Sequence, residues 1–321
     1  MRRAGLLGVV GGLVVALTCT GASVGEPTSR LGVRPLYASP DTLARQQLAV
    51  YETSGQTALA EALRPLAEAP TATWFTGGPP RARAEALTSA AATAGQLPVL
   101  VAYAVPGRDC GQHSAGGAGD DDAYLAWVSE LAAGIGDRPA VVVLEPDALA
   151  HTVTGCAGSS PARYALLARA VEVLTAGAGT HVYVDAGHAG WVADLDALAA
   201  ALRASGLDRA AGFSLNVSNF QSSAASVAYG RRLSALTGGA HFVVDTSRNG
   251  SGPLPGDDGG TSWCNPPGRT LGHVPSTLTG EELVDAWLWV KAPGESDGAC
   301  RPGEPVAGQW WGDYALGLVG V

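Results

Sequence analysis

Carboxylates recur at one kind of place in this 321-residue sequence: just past the end of a short apolar run. The stretch VVVLEPDALA (141–150) is apolar for four positions and then sets Glu145 and Asp147 around a proline. Comparable ends carry Arg108 with Asp109, Asp185 with His188, Asn216 with Asn219, Asp245, and then Lys291, Glu295 and Asp297. One aspartate at such a point can simply cap the following helix; a series of them in one chain implies a shared acidic rim. Carboxylates without a thiol nucleophile or a metal cluster point to general acid/base chemistry. Acid and base of one residue type can cooperate only where burial and neighbouring charge drive their pKa values apart. Hydrolysis of a glycosidic bond has this requirement. Glu145-Pro146-Asp147 suits the acid role, because the proline stiffens the turn and a buried strand behind it limits solvation. One of the two carboxylates is expected to be catalytic and the other structural.

Eight tryptophans against four phenylalanines add to this reading. Core packing favours Phe and Leu, whereas broad indole faces suit the C–H faces of sugar rings and leave an N–H for hydrogen bonding. Trp74, Trp191 and Trp263 adjoin strand ends and are expected to be sugar platforms; Trp127, Trp287, Trp289, Trp310 and Trp311 are expected to be structural. Competing chemistries are weaker. The GxSxG match GASVG (21–25) has no strand before it. Neither a dinucleotide fingerprint nor a P-loop is present, and the histidines show no i, i+4 pairing, so no metal or other cofactor is implied.

The elements that must position these residues are legible as a repeated grammar of apolar run, polar loop and Ala/Leu-rich helical stretch. The runs cover 71–75, 97–105, 139–147, 181–187, 212–219, 241–247 and 286–294, and PARYALLARAVEVLTAG (161–177) typifies the helices, with proline at its start and glycine after it. Unbroken Val/Leu runs read as parallel strands buried on both faces. Seven of them with helical crossovers predict an α/β barrel of TIM type in one domain, with loops after the strands forming the active face. The glycine- and proline-rich segment 247–260 reads as a long loop. Arg2 and Arg3 before an apolar run from Leu6 to Leu17 read as an export signal over 1–23, too short to span a bilayer; residues 24–35 then form an N-terminal segment and 36–321 the catalytic domain. A net charge of −9 argues against a nucleic-acid partner. Once Cys19 leaves with the signal, Cys110, Cys156, Cys264 and Cys300 read as two disulfides. Three pairings are open; Cys110–Cys156 with Cys264–Cys300 closes the shortest non-overlapping loops.

The motifs resemble glycoside hydrolase family 6, the inverting cellulases. VAYAVPGRDCGQHSAGG (101–117) and VVVLEPDALA look like its two signature segments. VDAGHAGW (184–191), SLNVSNF (214–220), SWCNPPGR (262–269) and WVKAPGESDG (289–298) are similar to further blocks in the same order, over most of 36–321. The resemblance implies a distorted seven-stranded α/β barrel and the same disulfide pairing. It implies Asp147 as general acid and Asp109 as the second aspartate that keeps Asp147 protonated. Asp297 stands at the candidate base position, with a water chain through Ser114 and Asp109 as the alternative. Tyr103 matches the tyrosine beneath the distorted sugar, Arg108 an arginine beside the acid pair, and Asp185 a carboxylate of the cleft. Trp74, His188, Trp191, Trp263, Lys291 and Glu295 match sugar-binding positions; with Asn216 and Asn219 of the rim they complete the expected substrate-binding set. His113, Ala104 and His151 depart from the family's usual tyrosine, larger polar residue and amide.

The expected function is secreted endo-β-1,4-glucanase action on cellulose or cello-oligosaccharides by a monomer, with inversion. A cellobiohydrolase and a glucan-binding protein without turnover are the alternatives. No attached cellulose-binding module and no membrane association after processing are expected.

Overall fold

Seven apolar runs form strands: β1 (Thr73–Phe75), β2 (Val99–Ala102), β3 (Ala140–Leu144), β4 (Thr180–Asp185), β5 (Gly212–Leu215), β6 (His241–Asp245) and β7 (Val284–Leu288). The computed structural model describes residues 29–156, 161–255 and 262–321, with Met1 and Gly5. The expected export signal and the GASVG match therefore lie outside the described residues, as do 256–260 of the long loop.

Alternation along each strand decides the architecture. In β3, Val141 and Val143 join one apolar cluster while Ala140, Val142 and Leu144 join another, and all five are buried. The same split separates Val99 and Val101 from Leu100 and Ala102, and Val243 from Phe242 and Val244. One cluster is the inside of a curled sheet; the other lies between the sheet and its helices. Each fully buried Val or Leu contributes about 1.5 to 3 kcal/mol, so neither face can turn to water. Neighbouring strands are all parallel, in sequential order from β1 to β7. No ladder joins β1 to β7. The seam is crossed instead by the Ala72 N–H to the Trp289 carbonyl (2.9 Å) and by the Trp74 indole N–H to the Val290 carbonyl (2.7 Å). This is the distorted seven-stranded α/β barrel expected from the sequence.

The helices among the described residues are α1 (Leu43–Thr53), α2 (Thr57–Glu68), α3 (Arg81–Thr93), α4 (Asp121–Ile135), α5 (Ala148–Val153), α6 (Ala162–Leu174), α7 (Leu195–Ala204), α8 (Ser223–Leu236) and α9 (Gly312–Leu318). Pro161 starts α6 as the sequence suggests, and Asp120 and Asp194 cap α4 and α7 through their side chains. None of the described helices is long and apolar enough to cross a membrane. The described part of the N-terminal segment packs under the barrel. Leu31 enters the inner cluster, the Arg30 N–H reaches Asp285 Oδ1 (2.8 Å), and Ser29 Oγ donates to the Asp285 carbonyl (2.7 Å).

Candidate active site

Backbone strain gathers on the loops that leave the C-terminal strand ends. Among the described residues, seven non-glycine residues have positive φ, between 45° and 71°: Asp109, Cys110, Glu145, Asp147, Asn216, Ser218 and Asn265. L-residues seldom adopt this region, Asp and Asn least reluctantly, and each instance costs of order 1 to 3 kcal/mol. All seven follow β2, β3, β5 or β6.

Positions two apart on a strand share a face, so the left-handed turn is what separates Glu145 from Asp147. Glu145 is buried, and its carboxylate accepts the N–H groups of Ala104 (3.0 Å) and Val105 (3.0 Å); burial pushes it up to about 7. It ties β3 to the chain entering the 106–116 loop. Asp147 occupies the N-cap of α5 yet makes no capping bond with its side chain. Its carboxyl is pushed well above the usual range by burial first, then by Asp185, then by Asp109. Like-charge proximity to Asp109 alone, the sequence expectation, is thus the smallest of three causes. Asp109 Oδ2 accepts the Ser114 N–H (2.6 Å), and Oδ1 lies 3.8 Å from His151 Nε2. Polar atoms of Asp109, Asp147 and His151 all fall within 4.8 Å of one another.

Two residues expected to face substrate are supports instead. Asp185 is fully buried, with Oδ1 accepting the N–H groups of Asp147 (2.9 Å) and Gly187 (3.0 Å) and Oδ2 the Ser214 hydroxyl (3.1 Å); burial pushes it up to about 6. It holds the Asp147 main chain from beneath. Asn216 is equally buried, donating to the Asp245 (2.8 Å) and Asn219 (3.3 Å) carbonyls and accepting the Gln221 N–H (3.0 Å). Residue type and position flagged both correctly as strand-end groups, but depth is set by the left-handed turn at Asn216 and by the neighbouring strand. Asp245 accepts N–H groups from Ser218, Ser247, Val290 and Lys291 and so joins three loops.

The Asp297 side carries the opposite electrostatics. Arg248 Nη1 reaches Asp297 Oδ2 at 2.7 Å, Lys291 Nζ lies 3.3 Å from Oδ1, and the Asn265 N–H adds a third contact at 3.0 Å. Burial works against the charge, but Arg248 and Lys291 more than offset it and hold the carboxyl below its usual range. Burial in turn lowers the Lys291 ammonium and raises the nearby Glu295 carboxyl. Gly298, at φ 157°, lets this loop touch the one bearing Asp109: a Cβ there would lie 2.6 Å from the His113 ring. The disulfides Cys110–Cys156 and Cys264–Cys300 secure the two loops.

Aromatic side chains line the space between. Trp74 meets Tyr103 edge-on at 5.3 Å, and the Arg108 guanidinium lies 4.7 Å over Tyr103 while donating to the Ser114, Thr76, Tyr103 and Ala115 carbonyls. Arg108 therefore moulds the loop. Burial, then Asp147 and Asp109, raise the Tyr103 hydroxyl. Trp191 packs edge-on against His151 at 4.8 Å and tilted against His188 at 5.8 Å; burial drives His188 down to about 4, and its Nδ1 accepts the Gly190 N–H. Trp263 meets His113 at 5.7 Å. Asn219 is partly exposed and accepts the Phe220 N–H (2.8 Å).

The model of glycosyl hydrolases family 6 matches residues 32–320. The chain belongs to this family. It is 46% identical over 243 residues to endoglucanase A of Cellulomonas fimi, covering 76% of this chain and 51% of that protein. It is 39% identical over 304 residues to endoglucanase A of Thermobispora bispora, covering 90% and 62%. The chain thus spans between half and two thirds of the length of these curated relatives. The solved structure of endoglucanase Cel6 from Mycobacterium tuberculosis, in complex with methyl-cellobiosyl-4-deoxy-4-thio-β-D-cellobioside, superposes with a TM-score of 0.83 at 41% identity, covering 90% of this chain and 97% of that one.

Sequence reasoning missed one member of this family 6 site. Arg248 is fully buried, with its guanidinium 4.4 Å over Phe220 and donating to the Ser218 carbonyl as well as to Asp297. As one of nineteen arginines it carried no distinguishing signal beyond its place three residues after Asp245.

Proposed function

We propose that this family 6 chain is an exported endo-β-1,4-glucanase that hydrolyses cellulose and related glucans with inversion, acting as a monomer. The carrying observation is the carboxyl at the tip of β3: largely enclosed and next to two other carboxylates, Asp147 is pushed well above the usual carboxylate range and so favours its protonated form. Asp147 delivers its proton to the glycosidic oxygen as the C–O bond breaks, and water attacks the anomeric carbon from the opposite face. A proton must leave that water. Asp297, stabilised as an anion by two cations, is a weak acceptor; Asp109, bonded to the Ser114 main chain, is the better terminus for it. The relatives named endoglucanases and the cellobiose-derived ligand in the Mycobacterium tuberculosis structure support the substrate class. Two disulfides suit an oxidising compartment and support export.

Replacing Asp147 by Asn tests the reading. Turnover of cello-oligosaccharides is expected to fall by about 10²-fold or more, with oligosaccharide binding retained and, in the parent, α-anomer appearing first by NMR. Undiminished turnover in D147N, or β-anomer as the first product, refutes it.

A further inference from the structure

We infer that the outer side of the loops bearing the Cys264–Cys300 bridge forms a second glucan-binding groove, with Trp311 as its sugar platform. Two consecutive tryptophans at the end of the chain take different environments. Trp310 packs into the apolar cluster shared by α1, α2 and α9. Trp311, half-buried, stacks on Tyr314 with ring centroids 5.5 Å apart and planes at 24°, and the pair lines a groove of about 370 Å³. That size lies within the range of small-ligand sites.

The lining fits an uncharged polyhydroxylated chain. Near-parallel aromatic rings offer a broad apolar face of the kind that accepts the C–H side of a pyranose. Arg269, Arg301, Glu304 and Asp313 surround it. Two guanidinium groups and two carboxylates cancel in charge, which disfavours an anion while leaving donors and acceptors for hydroxyl groups. The guanidinium groups are held in place: Arg269 donates to the Gly252 carbonyl (2.7 Å), and Arg301 to Glu304 (2.8 Å) and the Cys264 carbonyl (3.0 Å). The groove also adjoins the catalytic cleft. Asn265 lines it, and the same residue's N–H binds Asp297; Trp263, two residues earlier, meets His113 on the loop that bears Asp109. A glucan seated in this groove would lie on the far side of Asn265 from Asp297, which tethers insoluble substrate beside the cleft.

This inference rests on the glucanase reading, and its test separates the two. Indole N–H resonances are followed by NMR as cellohexaose is added to the Asp147→Asn protein. Trp311 is expected to shift along its own, weaker saturation curve, and Trp74, Trp191 and Trp263 along a tighter one. Shifts of the latter three with Trp311 still at millimolar cellohexaose overturn the groove and leave the glucanase reading standing. No shift in any of the four overturns both. In the active protein, Trp311→Ala is expected to lower adsorption to amorphous cellulose by about tenfold without changing turnover of a soluble cellotrioside, and Trp311→Phe to restore most of it. Unchanged adsorption in a folded Trp311→Ala protein overturns the proposal.

Discussion

Asp185 offers the sharpest perturbation of the proposed acid, because it can lose its charge and keep its shape. In Asp185→Asn the amide oxygen can still accept the Asp147 and Gly187 N–H groups, now served by Oδ1 at 2.9 and 3.0 Å, while the amide nitrogen donates to Ser214 Oγ and reverses that bond. What disappears is a negative neighbour of Asp147. For two charges about 5 Å apart at an effective dielectric near 20, the interaction is about 3 kcal/mol, or about 2 pH units. Burial places Asp185's own ionisation at about 6, so its charge acts on Asp147 above that pH and vanishes below it. Removing a negative neighbour lowers the folded-state pKa of an acid. The alkaline limb of the kcat/KM profile, which reports loss of the Asp147 proton, should therefore move to lower pH by about 1 to 2 units. On the alkaline side of the parent's limb, turnover should fall about tenfold or more and recover on acidification. The assay is kcat/KM against pH on a soluble cello-oligosaccharide, with circular dichroism to verify folding. An unmoved alkaline limb in a folded Asp185→Asn protein refutes the reasoning.

Replacing Arg248 by Met leaves a buried carboxylate at Asp297 with Lys291 as its remaining cation. Losing one partner of a buried pair costs about 3 to 5 kcal/mol, so thermal melts should fall sharply and Arg248→Lys should recover part of the loss. Glu145, at about 7 in the folded protein against its ordinary 4.5, keeps a proton that the unfolded chain has released. Stability from this group therefore declines as pH rises from 4.5 to 7, by about 3 kcal/mol. Glu145→Gln leaves one oxygen for both N–H bonds and should raise the urea midpoint at pH 8 above that of the parent; an unchanged midpoint would deny the penalty. Joint replacement of Cys110 and Cys156 by Ser removes a bridge spanning 46 residues, about 4 kcal/mol by loop closure. Because Cys110 adjoins Asp109, turnover should drop while circular dichroism still reports a folded barrel.

Much of the fold was legible because a parallel strand buried on both faces has to be written as a continuous apolar run. Six of the seven observed strands lie within their predicted runs to within a residue, though β3 and β5 stop before the polar residues that end their runs. The chain leaves the ladder in left-handed turns at Asp109, Glu145, Asp147 and Asn216, and a run of apolar letters cannot display a positive φ. β7 starts two residues before its run, at Val284, where a register shift against β6 passes over Asp285 and leaves its carboxylate to meet Tyr183, His241 and the Arg30 N–H. A buried aspartate paired across the sheet has no local signal. For the same reason depth was misjudged at Asp185 and Asn216: spacing placed them at the rim, and contacts from neighbouring strands decided that they point beneath it. Trp310 and Trp311 were indistinguishable as consecutive letters, and only the start of α9 between them and Tyr314 turns one inward and the other toward the groove.

The chemistry comes from an unequal distribution of cations around the carboxylates of the cleft. Asp147 and Asp297 both suffer burial, which penalises ionisation of either. Near Asp147 the next largest influences are two more carboxylates, and the Arg108 guanidinium, over the Tyr103 ring, is already committed to four carbonyls. Near Asp297 stand a buried arginine and the chain's single lysine. Burial therefore sets how strongly each group responds, and the sign of its neighbours sets the direction. A glucan lying between them would meet a proton donor on the β3 side and a fixed anion on the β7 side.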